Sequence, residues 1–322
     1  MNALVTGGTG FVGRHLIQAL LDRGTAVSAL VRTPGNASWL AGRRVRVVSG
    51  HLGNPDALRD AARDQDVIYH AAGLIRARNE AEFLRVNRDG TARLLAAAAE
   101  VSGARFVLVS SLAAAGPAPR GGRLRGDEPS RPVSAYGRSK LAGEDVVRAG
   151  PLPWTIVRPP TVYGPGDPEL FRVFRAVRLG VVPVFGDGAQ ELSLVYCPDL
   201  AEALISAGTC DGAQGRVFYA AHADIETSAS FVRSVARALG KHVRLVPLPR
   251  WLATGALGVT SIAARLAGRA TLLTIDKANE LFAPAWTCDP SSLHAATGWR
   301  AAHDLALGVA ATARWYRTAG WL

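Results

Sequence analysis

The stretch "LVTGGTGFVG", Leu4 to Gly13, crowds Gly7, Gly8, Gly10 and Gly13 into one turn behind an apolar run. Glycine at that density marks a place where something approaches the backbone more closely than a Cβ would allow. The residues before it, "ALV", open a buried strand, and "VGRHLIQALLDRG" after it repeats apolar residues at helical spacing. A Gly-rich turn between a strand and a helix N-terminus lets backbone N–H groups and the helix dipole hold a pyrophosphate. Gly7, Gly10 and Gly13 have the spacing T-G-x-x-G-x-x-G in that strand-to-helix context, which points to a dinucleotide. A tight turn without a ligand is the alternative reading.

Outward from this turn the same alternation continues. "AVSALVR", "VRVVSG", "DVIYHAAG", "RFVLVSS" and "WTIVRPP" read as buried parallel strands. Between them "NPDALRDAARD" and the long "EAEFLRVNRDGTARLLAAAAEVSG", Glu80 to Gly103, have helical periodicity. That order predicts an α/β fold, a doubly wound parallel sheet with helices on both faces.

Composition narrows the function classes. The 322 residues are 48% hydrophobic and 20% charged, as in an ordinary globular protein with a large core. The formal net charge of +11 comes from arginines spread along the chain. No zinc-finger spacing, RNA-binding signature or internal repeat accompanies them, so no nucleic-acid partner is expected. Cys197, Cys210 and Cys288 are odd in number and lack metal-ligand spacing, which predicts reduced thiols and no metal. The start "MNALVTGG" has no basic segment followed by an apolar run, and a cytoplasmic location is expected.

The end of the second strand bears on the cofactor. An acidic residue there accepts hydrogen bonds from a ribose in NAD-preferring folds, whereas an Arg accommodates a 2′-phosphate. The sequence is "ALVRTP", with Arg32 and no carboxylate, so NADP(H) is preferred over NAD(H). A solvated strand-end arginine is the alternative. Further on, "SAYGRSKLAGEDVV" places Tyr136 and Lys140 at i and i+4, on one helix face. An adjacent ammonium is expected to lower the phenol's ordinary pKa of about 10 and make Tyr136 a general acid/base.

At this point the chain resembles the extended short-chain dehydrogenase/reductases, the NAD-dependent epimerase/dehydratase family. "TGGTGFVG", "DVIYHAAG", "VNRDGTARLL", "VSSLAAAG", "YGRSK", "RPPTVYGPGD" and "LVYCPDLAEAL" occur in the family's order through nearly the whole chain. The resemblance implies a Rossmann domain over residues 1–165 and a mainly substrate-binding lobe over 166–322, with about 190–222 returning to the first domain. It also implies a homodimer, which the helical pattern from Glu80 permits. Ser111 takes the place of the catalytic Ser/Thr that holds the substrate oxygen, with Ser110 beside it able to share the contact. Tyr136 would transfer the proton, and Lys140 would also bind the nicotinamide ribose. Phe11 and Val12 would sit at the pyrophosphate turn, Ala71, Ala72 and Gly73 along the cofactor, and Asn87 beside it. Gly73 and its neighbours as helix-packing residues are the other reading. The family's usual Gly-Asp-Leu after the third strand is Gly50-His51-Leu52 here; His51 either contacts adenine or is simply an exposed histidine.

Substrate class is read from departures within the family. Sugar-nucleotide members resemble one another in an Arg-Asp-Tyr stretch, but this chain has Leu192-Ser193-Leu194 there, and no guanidinium for a diphosphate. "LVPLPRWLATGALGVTSIAARLAGRATLL" is apolar, uncharged from Trp251 to Ala264, and too short to span a bilayer. It reads as a core helix, the wall of a greasy pocket, or a helix in peripheral contact with a membrane. "GPAPRGGRLRGDEPSRPVS", Gly116 to Ser134, reads as a mobile lid or a disordered surface loop. The chain looks most like the 3β-hydroxysteroid dehydrogenase and dihydroflavonol reductase members. The first reading is therefore an NAD(P)-dependent oxidoreductase that interconverts a secondary alcohol and a ketone on a small hydrophobic, sterol- or flavonoid-like substrate. A nucleotide-sugar epimerase or dehydratase, and a non-catalytic NADP-binding sensor, are the alternatives.

Overall fold

Strand β1 (Asn2–Thr6) has four buried residues of five, as a strand covered on both faces must. In the computed structural model, which describes residues 1–266 and 277–322, it lies inside a seven-stranded parallel sheet, next to the central strand. On one side of it run β2 (Ala26–Val31) and β3 (Val45–Ser49); on the other run β4 (Val67–His70), β5 (Arg105–Val109) and β6 (Trp154–Arg158). The crossovers are α1 (Phe11–Asp22), α2 (Pro55–Ala62), α3 (Glu80–Asn87), α4 (Asp89–Val101), the single turn α5 (Leu112–Ala115) and α6 (Ala135–Arg148). The strand order reverses between β1 and β4, and at such a switch point the loops beyond the strand ends part to leave a crevice.

Alternation along the strands sorts the core. Val5 packs with Leu16 and Leu20 of α1 on one face of the sheet, and Leu4 packs with Leu58, Leu94 and Phe106 on the other. The expected doubly wound Rossmann sheet is therefore present, with strand ends close to those read from the apolar runs.

Beyond β6 the chain forms β7 (Thr161–Tyr163), α7 (Phe171–Arg178), β8 (Val181–Phe185), β9 (Glu191–Leu192), β10 (Leu194–Tyr196), α8 (Cys197–Thr209) and β11 (Arg216–Tyr219). Strand β11 pairs in parallel with β6 as the seventh strand, and α8 shares the core of α1. The remainder comprises β12 (Glu226–Thr227), α9 (Ser228–Leu239), β13 (Arg244–Leu248), α10 (Arg250–Leu266), α11 (Lys277–Leu281), β14 (Ala285–Trp286), α12 (Ser291–Thr297) and α13 (Leu305–Thr318). Phe174, Val182, Phe231 and Tyr316 centre a separate core there. Cys197, Cys210 and Cys288 are free thiols.

Two local expectations are corrected. The helical pattern from Glu80 to Gly103 is two helices that meet at Arg88 (φ −99°, ψ −63°). At the junction Thr91 Oγ1 donates to the Asn87 carbonyl, while the Asn87 side chain is tied to Leu74 and Ser139, so side-chain bonds fix the bend. The Gly116–Ser134 segment is neither a mobile lid nor a disordered loop. Ala118 bridges to Ala285 and Leu124 to Cys288, and Thr287 Oγ1 donates to the Gly122 carbonyl, which fastens it to the second lobe. Of the apolar 245–273 segment, α10 accounts for the run from Trp251, with Ala253 and Leu257 buried and Trp251 and Leu252 exposed; the part from 267 onward lies outside the described residues. Among the described residues, no helix is long and apolar enough to cross a membrane.

Candidate active site

The glycines of the first turn bring three backbone segments together. Gly7 has φ +73°, and a Cβ there would stand 2.7 Å from the Ala71 carbonyl carbon and the Ala72 nitrogen. A Cβ on Gly13 would come within 2.2 Å of the Gly7 carbonyl oxygen, so Gly13 is the point where α1 presses onto the turn. Gly10 is the N-cap and closes the turn through its N–H to the Gly7 carbonyl at 2.9 Å. No side chain caps α1 and no acidic residue stands in its first turn, so the amides of Phe11, Val12 and Gly13 remain available to an anion. The Phe11 ring itself packs edge-on to His15.

Under this turn runs a closed polar chain. Ala72 N–H donates to Thr6 Oγ1, which bonds His70 Nδ1 at 2.7 Å; His70 Nε2 bonds Thr91 Oγ1 at 2.9 Å. Thr91 donates onward to Asn87, which leaves it to accept from His70, so the proton resides on Nε2. Burial pulls His70 down to about 3, with Lys140 adding to the effect, and the ring is neutral. His70 thereby holds Thr6 and the Ala71–Ala72 backbone in place under the crevice.

The crevice itself is about 570 Å³. Gly7, Gly10, Ala71, Ala72 and Gly73 line one end, and Arg32, His51, Leu52 and Gly53 line the other. Arg85 and Arg93, on α3 and α4, also face it and were not singled out from the sequence; only the crossing of those helices over the strand ends brings them there. Three arginines and no carboxylate make the crevice strongly positive. His51 Nδ1 accepts from the Gly53 N–H at 3.0 Å, so its ring shapes the turn after β3 as well as lining the crevice.

Next to Gly73, α6 presents Tyr136 and Lys140. Ser134 caps the helix by accepting from the Gly137 N–H, and Gly137 lies so close to the Ala113 carbonyl that a Cβ would be 2.3 Å from it. That contact lets α6 sit against α5, whose N-cap is Ser111. Ser111 and Tyr136 are hydrogen-bonded through their side chains. Lys140 Nζ donates to the Val109 carbonyl at 2.7 Å. Asn87, 3% exposed, receives the Leu74 N–H on Oδ1 and donates to the Leu74 carbonyl and to Ser139 Oγ. A Cβ on Gly73 would be 3.0 Å from Asn87 Oδ1 and 3.8 Å from Lys140 Nζ, so Gly73 also serves packing.

Electrostatics differ from the expectation for Tyr136. Burial pushes the phenol up to about 12, against the pull of the Ser111 hydrogen bond, and the nearby Glu280 carboxylate adds to the rise. Lys140 does not hold it down, because its ammonium is turned to Val109 and is itself lowered to about 8 by burial. Glu280, 8% exposed on α11, belongs to this site although no local pattern around it signals the role. Ser110 does not share the contact of Ser111: its hydroxyl donates to Glu144 Oε1, which with Oε2 also holds the Arg158 guanidinium at 2.9 and 2.7 Å.

A parallel sheet with its crevice at the switch point, lined by a glycine turn and ending at a Tyr–Lys helix, defines a dinucleotide-dependent enzyme of the Rossmann class. The family model described as the NAD dependent epimerase/dehydratase family matches residues 3–221, and the chain belongs to that family, the extended short-chain dehydrogenase/reductases. It is 39% identical over 321 residues to a protein of Caulobacter vibrioides named ceramide reductase, covering 99% of this chain and 95% of that one. It is 31% identical over 281 residues to a 3 beta-hydroxysteroid dehydrogenase/Delta 5-->4-isomerase of Mycobacterium tuberculosis, covering 78% and 74%. Among solved structures it is similar to MoeE5 in complex with UDP-glucuronic acid and NAD, with a TM-score of 0.79, 26% identity, and coverage of 99% and 100%.

Proposed function

We propose that this enzyme reduces a ketone on a long-chain, ceramide-type lipid, with NADPH as the hydride donor. The observation that carries the reading is the hydrogen-bonded Ser111–Tyr136 pair, on the same helix-and-strand junction as buried Lys140, which lies next to Gly73 of the crevice. The crevice fits the dinucleotide: free amides at the start of α1 suit a pyrophosphate, and Arg32, Arg85 and Arg93 without a carboxylate suit a 2′-phosphate. The chemistry supplied by a bound nicotinamide is hydride transfer to the carbonyl carbon. Ser111 holds the carbonyl oxygen by its hydroxyl. Tyr136, kept protonated by burial, gives that oxygen its proton, and Lys140 would orient the ribose. Asn87 fixes the 73–74 backbone between them.

The ceramide reductase likeness over the whole chain supports a lipid substrate. Against a nucleotide sugar stands Leu192, packed partly buried on the second lobe's core, at the position where a diphosphate would need a guanidinium. The test is reduced-nicotinamide absorbance with purified protein, NADPH or NADH, and either a ketoceramide in mixed micelles or UDP-sugars. Net oxidation of NADPH with the ketoceramide, lowered about 10²- to 10⁴-fold by Tyr136→Phe with cofactor affinity kept, is the expected result. Turnover of a UDP-sugar with the ketoceramide inert would replace this reading by the epimerase one.

A further inference from the structure

The outer face of the second lobe's strand pair is apolar where solvent would favour polar residues. Strands β8 and β13 run parallel with Val181 opposite Arg244, Pro183 opposite Val246 and Phe185 opposite Leu248. Val182 and Val184, each 4% exposed, point into the lobe's core, so the alternate residues Val181 and Pro183 face out beside Val246. Val181 is 51% exposed, and Leu179, in the turn that leads into β8, is 83% exposed. Helix α10 begins two residues after β13 with Trp251 and Leu252, 75% and 45% exposed. Exposed apolar residues scattered singly need no explanation, but these cluster on the β8–β13 pair and on the first turn of the helix that follows it.

Charge selects what can cover this edge. No Asp or Glu occurs from Leu170 to Gly186 or from Thr227 to Ile275. The same segments expose Arg175, Arg178, Lys241, Arg244 and Arg250 around the apolar residues. Two copies of such a face would repel each other, whereas a surface with anionic groups above an apolar layer complements both features.

We propose that this edge docks the enzyme on an anionic lipid bilayer, with Leu179, Val181, Val246, Trp251 and Leu252 at the headgroup–acyl boundary and the arginines on lipid phosphates. The inference deepens the lipid-ketone reading and rests on it for its purpose, since a substrate with two long chains is delivered from a membrane. Flotation of the full chain with phosphatidylcholine vesicles, with and without phosphatidylglycerol, tests it directly. Binding is expected only to the anionic vesicles and declines with salt. The double variant Leu179→Ser with Trp251→Ser is expected to lower the bound fraction tenfold or more while the melting temperature and the reduction of a short, water-soluble ketone are unchanged. Absence of flotation, equal binding of the double variant, or loss of an oligomer in place of loss of vesicle binding would each overturn the docking surface. Reduction of micellar ketoceramide without vesicle binding would sink this inference and leave the reductase reading intact; vesicle binding without ketone reduction would do the reverse.

Discussion

Lys140 Nζ donates to the carbonyl of Val109, the last residue of β5, at 2.7 Å, two positions before Ser111. The lysine thus ties the catalytic helix to the strand that delivers the serine, and it does so as a buried ammonium. Two of the three proposed catalytic groups are held in register by that one bond.

The cost of burying that charge has a pH signature. The Lys140 pKa is lowered from 10.5 to about 8 in the folded chain, chiefly by desolvation. Below pH 8 the lysine is charged folded and unfolded, and the full penalty is present. Between about 8 and 10.5 the unfolded chain binds more protons, so this residue's contribution to stability rises with pH. Buried tyrosines raised above their usual range act in the opposite direction in any variant alike. The stability difference between wild type and Lys140→Met, by urea unfolding without cofactor, should therefore shift towards wild type by up to about 3 kcal/mol from pH 7 to 10.5. A flat difference would show that Lys140 is not buried as a charge.

Gly13 is required for packing. In Gly13→Ala the new methyl would stand 2.2 Å from the Gly7 carbonyl oxygen, and α1 must move away from the turn. A loss of about 1–3 kcal/mol in stability is expected, with dinucleotide affinity lowered at least about tenfold. Gly103→Ala, where a Cβ meets nothing within 4 Å, is the control and should change neither. Unaltered NADPH binding by Gly13→Ala would remove the turn from the cofactor site.

Arg32 bears on cofactor choice. Arg32→Asp takes a cation from the positive crevice and places a carboxylate there. If it meets the 2′-phosphate, NADPH should weaken by about 10- to 100-fold more than NADH, as befits a charge-assisted hydrogen bond of about 1.5–3 kcal/mol. Fluorescence titration with both cofactors reads the ratio, and equal losses would refute the NADP assignment.

Glu144 and Arg158 form a buried pair, 0% and 2% exposed, with Ser110 and Arg148 also donating to the carboxylate and Arg158 also donating to Ser130 and Tyr219. Glu144→Gln leaves the guanidinium inside without its counter-charge. Unfolding should become easier by about 3–5 kcal/mol, the usual cost of breaking such a pair. A loss under about 1 kcal/mol would mean that water or another carboxylate reaches Arg158.

Local sequence carried much of this site. Glycines at a strand-to-helix boundary, apolar runs of strand length, and a Tyr and Lys one helical turn apart are signals of period and turn chemistry, and each lies within a dozen residues. Ser110 and Ser111 are adjacent and chemically alike, so no local rule separates them. The structure does, because one side chain reaches inward to Glu144 and the other meets Tyr136. Arg85, Arg93 and Glu280 enter through the crossing of helices and the return of a distant segment, which leave no mark on nearby residues.

The sequence by itself determined the alternation of strands and helices, the glycine turn between β1 and α1 and the family, because backbone geometry and burial period act over short spans. Tertiary structure decided the rest. It pinned the Gly116–Ser134 segment to Ala285 and Cys288, and it bent the Glu80–Gly103 pattern at Arg88. It raised the Tyr136 phenol where an adjacent lysine alone would have lowered it. Each of these outcomes depends on desolvation and on contacts between residues far apart in the chain, and those are set only when the lobes pack.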